Sequence, residues 1–148
     1  VTGVQTCALP ISNYPGAGAA GGMGGGLLAF FNAELKPGTE LLLKAIDFSE
    51  KIKGADLIIT GEGKADQQTA MGKVPYGILK EAQKEHIPVI VLAGSIENLP
   101  ELNKAGFKGI FSIAPGPITL EKAMEPEFAK ENITRLVSQL YSVITSFG

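Results

Sequence analysis

Three short apolar runs constrain this chain more than any other feature. They are Asp56-Leu57-Ile58-Ile59-Thr60, Pro88-Val89-Ile90-Val91-Leu92-Ala93 and Gly109–Ala114. Each is bounded by glycine or proline, and runs of this length and composition read as buried strands. Between the first two, Val74, Ile78, Leu79 and Ala82 recur at helical spacing, which predicts a helix over about 73–85. A short helix around Leu99–Ala105 separates the second run from the third. Beyond Pro115-Gly116-Pro117, Thr119 can cap a brief helix and Pro126 suits the first turn of a final one. The apolar face of that last helix is Ala129, Ile133, Leu136, Val137, Leu140 and Ile144. Strands alternating with helices give an α/β fold, a parallel sheet of βαβ units flanked by helices. Right-handed crossovers then gather Gly61–Lys73, Gly94-Ser95 and Pro115–Pro117 at one sheet edge. In open α/β sheets ligands sit at that carboxyl edge.

The segment Gly61–Lys73, read as a polar loop, carries the most chemistry. Glu62 and Asp66 supply carboxylates, Lys64 and Lys73 supply cations, and Gln68 and Thr69 supply amide and hydroxyl groups. Gly61, Gly63 and Gly72 let backbone approach a ligand closely. Taken alone, such a segment is either an anion-binding edge or a solvated turn with ordinary surface charges. Phosphoryl transfer needs this inventory: carboxylates for Mg²⁺ or as a base, and cations or N–H groups for phosphate oxygens. A helix starting near Lys73 adds its N-terminus to that list. Neither Gly63-Lys64 nor Gly72-Lys73 completes a P-loop, since the earlier glycine and the following Ser/Thr are absent. His86, near a helix C-terminus, reads as a surface histidine favoured by the helix dipole, and Tyr76, Phe107 and Phe111 read as core.

Composition narrows the class. With 148 residues, 45% hydrophobic and a net charge of −2, the chain suits one ordinary domain and carries no basic excess for nucleic acid. Its apolar stretches fall far short of the ~20 residues a membrane helix needs. Residues 1–11, Val-Thr-Gly-Val-Gln-Thr-Cys-Ala-Leu-Pro-Ile, resemble the in-frame translation of a sequencing adapter. They are set aside as a non-native scar. Cys7 is the only cysteine, so the remainder offers neither disulfide nor thiolate metal site. Residues 12–148 read as the C-terminal fragment of a longer protein.

Residues 16–26 are a glycine-rich tract leading into Leu27-Leu28-Ala29-Phe30-Phe31, with an irregular start and a helix to about residue 33 expected. Gly16-Ala17-Gly18-Ala19-Ala20-Gly21 matches G-x-G-x-x-G, but that fingerprint needs a strand before it and an acid about 20 residues on. No strand is visible before Pro15, and Glu40 lies in a predicted helix. A dinucleotide-dependent oxidoreductase is therefore the lesser alternative, beside a non-enzymatic α/β module that merely binds an anion. Pro37-Gly38 reads as a turn, Thr39 as an N-cap, and Ser49 as the cap of a further helical turn before Gly54.

These residues together resemble a known family. Pro15 through Gly24, Ala33-Glu34-Leu35-Lys36-Pro37-Gly38, Ile58-Ile59-Thr60-Gly61-Glu62-Gly63-Lys64, Asp66 with Gln68-Thr69 and Gly72-Lys73, and Val89 through Gly94 are similar in order and spacing to the C-terminal part of type I glycerate kinases. The resemblance implies a cytoplasmic, ATP- and Mg²⁺-dependent kinase for D-glycerate. It also implies a Rossmann-like α/β domain, a second α/β domain and a cleft between them. Residues 12–54 would then belong to the second domain or the junction, and 55–148 to the Rossmann-like domain, with the missing N-terminal part as partner. By that likeness Glu62, Lys64, Asp66, Gln68, Thr69 and Lys73 face the cleft; the roles expected from their chemistry are catalytic for Asp66, Glu62 and Lys64, with Asp66 as base or metal ligand, Glu62 as metal ligand, and Lys64 and Lys73 on carboxylate or phosphate. Gly61, Gly63, Gln68, Thr69, Gly72, Lys73, Gly94 and Ser95 would bind substrate or nucleotide. A fragment lacking half its cleft is expected to be inactive and to expose an apolar sheet edge and helix faces.

Overall fold

The computed structural model describes residues 13–31 and 33–146, so the segment 1–11 and its Cys7 lie outside the described residues. The chain divides into two compact units, Val1–Ala45 and Ile46–Gly148.

In the first unit, turns over residues 13–18 lead into α1 (Ala19–Phe31), followed by α2 (Gly38–Ala45). The opening of α1 is not regular helix: Ala20, Gly21 and Gly22 hold φ of 51°, 68° and 95°. Successive left-handed residues are costly for anything but glycine. Gly24 is buried, and a β-carbon there would meet the carbonyl oxygen of Gly16 at 2.5 Å. The N–H of Gly25 donates to the Ala17 carbonyl at 2.8 Å. Close backbone packing thus accounts for part of the glycine tract, and α1 ends near the expected position. Thr39 lies within α2 rather than capping it.

The second unit begins with α3 (Phe48–Lys51), in which Ser49 is internal and instead donates its hydroxyl to Glu81 at 2.8 Å. Then come β1 (Ile58–Ala65), a 3₁₀ turn (Gln67–Met71), α4 (Val74–Lys84), β2 (Val89–Ile96), α5 (Leu99–Ala105), β3 (Gly109–Ser112), α6 (Leu120–Ala123) and α7 (Pro126–Thr145). The strands form a parallel sheet in the order β1-β2-β3, with Ile58 opposite Val89 and Ile90 opposite Gly109. The α/β fold expected from the alternation is therefore observed. Thr119 caps α6 by accepting from the Lys122 N–H, and Pro126 opens α7.

The central strand β2 is buried on both faces, as parallel strands flanked by helices are. Val89, Val91 and Ala93 pack with Leu79 and Ala82 of α4, Leu102 of α5, Phe107, Ile52 and Ala65. Burying one such valine or leucine contributes roughly 1.5–3 kcal/mol. Ile90 and Leu92, of opposite parity, are also buried. Tyr76 packs partly buried against the same cluster. β1 is an edge strand among the described residues, and Ile59 on it is 44% exposed. Ile133 and Ile144 on the apolar face of α7 are exposed as well.

The largest departure from the sequence reading concerns Gly61–Ala65. These residues are strand, not loop: β1 runs on to Ala65 and β2 on to Ile96, past the end of β3 at Ser112. Glycine and charged residues have low strand propensity, but ladder hydrogen bonds are made by backbone, and tertiary pairing overrides that preference. The approach is close here. A β-carbon on Gly94 would lie 2.7 Å from the Gly63 carbonyl oxygen.

Candidate functional site

The polar residues at the carboxyl end of β1 are arranged by three local devices. First, alternation along the strand puts Glu62 at the register level of Ala93, and its side chain is 17% exposed. Second, Asp66 is the N-cap of the 3₁₀ turn and forms a capping box with Thr69. The Asp66 Oδ1 accepts from the Gln68 N–H at 2.9 Å, while the Asp66 N–H donates to Thr69 Oγ1 at 3.0 Å. Third, Gly72 closes the turn at φ 129°, which favours glycine, and hands the chain to Lys73, the N-cap of α4.

These devices bring four side chains together. Thr69 Oγ1 donates to Glu62 Oε2 at 2.7 Å. Lys73 Nζ lies 3.2 Å from Glu62 Oε1 and 3.6 Å from Asp66 Oδ1, so one ammonium bridges two carboxylates. Burial alone would raise the Asp66 carboxyl. The Gln68 N–H, the Lys73 charge, the Thr69 N–H and the Lys73 hydrogen bond outweigh it, and the group is held below its ordinary value. Lys73 is raised, chiefly by its hydrogen bond to Glu62; partial burial opposes this, and the charges of Glu62 and Asp66 reinforce it. At neutral pH Asp66 and Lys73 are therefore charged.

Other expected residues stand apart from this cluster. Lys64, two residues along β1 from Glu62, reaches Glu97 Oε1 at 2.9 Å and stays half exposed. Gln68 and Ser95 are exposed at the same edge, and Gly61, Gly63, Gly72 and Gly94 contribute backbone there. On this edge too, Gly94, Ile113, Ile118, Ala123, Phe128 and Asn132 line a small, mostly apolar hollow. Among the described residues no group of three His, Cys, Asp or Glu is placed to hold a metal, and no helix is long and apolar enough to cross a membrane.

Comparison with known proteins decides the family. The model of the glycerate kinase family matches residues 3–145, starting within the segment that resembles an adapter. The chain belongs to the glycerate kinase family. It is 44% identical to a glycerate kinase of Bacillus cereus over 134 residues, 90% of this chain and 35% of the relative. A glycerate 2-kinase of Escherichia coli is 42% identical over 84% of this chain and 32% of the relative. A crystal structure described as glycerate kinase 2 from Salmonella typhimurium LT2 superposes with a TM-score of 0.65 at 36% identity, covering 88% of this chain and 32% of that one. The chain spans about a third of the length of the curated relatives it matches.

The glycine match at Gly16–Gly21 has no strand running directly into it. Residues 13–18 are turns, and Gly24 is demanded by packing. One residue at the edge escapes sequence reasoning altogether. Glu97, the partner of Lys64, follows β2 directly, and its place opposite Lys64 emerges only once β1 and β2 are extended to Ala65 and Ile96.

Proposed function

We propose that this chain is the C-terminal part of a cytoplasmic kinase that transfers the γ-phosphoryl group of ATP to D-glycerate. The single observation that carries the reading is the Glu62–Lys73–Asp66 arrangement, fixed by Thr69 at the carboxyl edge of a parallel sheet. The family and the names of its relatives support the substrate class.

Each residue then has a task. Asp66, ionised at neutral pH, accepts the proton of the attacking glycerate hydroxyl. The hydroxyl oxygen bonds to the γ-phosphorus as the bond to the leaving ADP oxygen breaks. Lys73, at the head of α4, offsets charge on the transferring phosphoryl oxygens together with the helix N-terminus. Lys64, free to leave an exposed pair, draws in the anionic substrate. Gln68, Ser95 and the backbone at Gly61, Gly63, Gly72 and Gly94 line the approach.

Mg²⁺ commonly keeps several waters and takes one or two carboxylates plus substrate phosphates. Glu62 and Asp66 fit that donor set, on condition that Lys73 moves from between them to the phosphate. Bound there, the ion would neutralise phosphate charge. The partner is the missing N-terminal part of the same protein, and the chain by itself is inactive in this reading.

The test is a coupled ADP-release assay with D-glycerate and ATP. The full-length polypeptide turns over, the 148-residue chain does not, and Asp66→Asn in the full-length protein loses turnover. Retained turnover in Asp66→Asn would remove this edge from catalysis and favour a module that merely binds an anion. Activity of the isolated chain would refute the need for its partner.

A further inference from the structure

Thr69 reads in the sequence as a ligand contact, yet it is fully buried, with 0% of its surface exposed. A hydroxyl has one proton to give, and here that proton goes to Glu62 Oε2 at 2.7 Å. The same oxygen accepts the Asp66 N–H at 3.0 Å, and the Thr69 N–H returns to the Asp66 carbonyl at 3.0 Å. Its burial leaves the group no face open to substrate. It ties the strand carboxylate to the turn that carries Asp66, and leaves Glu62 Oε1 turned toward Lys73.

We propose that Thr69 is a positioning residue that fixes the orientation of the Glu62 carboxylate and its registry with Asp66. The proposal deepens the kinase reading and rests on it for its effect on turnover. A carboxylate on a strand has two rotatable side-chain bonds beyond χ1, and a buried hydroxyl at hydrogen-bond distance removes much of that freedom. Groups of this kind, standing behind the reacting groups, typically change affinity or activity about 10–100-fold when removed. Serine keeps the donor, whereas valine keeps the shape and loses it.

In the full-length protein, Thr69→Val is expected to lower kcat about 10–100-fold with KM for glycerate little changed, and Thr69→Ser to stay close to the native value. In a Glu62→Gln background, Thr69→Val should add almost nothing, because residues acting through one another are not additive. Additive losses, or a serine variant as poor as valine, would overturn the proposal. A second readout does not need activity. By NMR in a Lys73→Met background, which removes the ammonium bridge between the two carboxylates, Glu62→Gln shifts the Asp66 amide resonance when Thr69 is present and leaves it unmoved in Thr69→Val. If the valine variant does not fold, Glu62→Gln in the Lys73→Met background decides: a moved Asp66 amide supports the coupling through Thr69 and an unmoved one rules it out. Failure of the full-length protein to phosphorylate glycerate would remove the kinase reading, while the amide measurement would still settle the positioning.

Discussion

Glu62 and Lys64 are both charged, lie two residues apart on β1, and share a strand face by alternation. Their surroundings differ. Glu62 is 17% exposed and held by both Thr69 and Lys73, whereas Lys64 is 49% exposed and has one partner, Glu97, itself 59% exposed. A solvated ion pair of the second kind contributes between nothing and about 1 kcal/mol. A partly buried carboxylate with two directed partners is fixed in place, since in lower dielectric each hydrogen bond is stronger and its loss dearer. On one strand, then, the structure sets a carboxylate held by two partners beside a solvated ion pair.

The sharpest way to break that contrast is Glu62→Gln. In the full-length protein it is expected to reduce kcat by about 10²–10³-fold, the range for removing one preorganised electrostatic group, as followed by steady-state kinetics. A loss confined to KM would make Glu62 no different from Lys64. Gly94→Ala probes the backbone between the two, because its β-carbon would meet the Gly63 carbonyl at 2.7 Å. Neither atom belongs to a flexible side chain. A loss of about 1–3 kcal/mol in urea denaturation is expected, as for overpacking elsewhere.

Acidity separates the two sites more gently. The Asp66 carboxyl is held below its ordinary value. Its contribution to stability is therefore complete above the unfolded value of about 3.9 and fades as the pH falls through the lower, folded one. Lys73 is raised, so its contribution is present below about 10.4 and is lost only as the pH climbs through the folded value. Thermal unfolding of Lys73→Met across acid and alkaline pH should show both edges weakened relative to the unaltered chain. The smallest effect belongs to Lys64→Met. Stability should shift by less than about 1 kcal/mol in the same denaturation experiment, with a raised KM and an unchanged kcat.

Much of the fold is legible in the sequence. Asp56–Thr60, Pro88–Ala93 and Gly109–Ala114 are short, apolar and bounded by breakers, and each overlaps a strand. The spacing of Val74, Ile78, Leu79 and Ala82 marks α4, although Val74 at its first turn is exposed, and Pro126 marks α7. The strand content of Gly61–Ala65 is not legible, because glycine and charged side chains signal a loop and only pairing with β2 shows otherwise. The site is legible as an inventory. Glu62, Asp66 and Lys73 stand out together in the sequence, but their grouping around one ammonium, and the withdrawal of Lys64 toward Glu97, depend on how far β1 and β2 extend.

The sequence by itself determined the α/β class, the edge at which the polar residues gather, and the family resemblance. All three rest on local pattern: the period of apolar side chains, the placing of glycine and proline, and the order of a motif. Only the tertiary structure decided which polar groups are fixed and which are free. That depends on burial and on partners distant along the chain. Thr69, a ligand contact on sequence grounds, became the buried bond between two carboxylate-bearing segments once the 3₁₀ turn folded against β1.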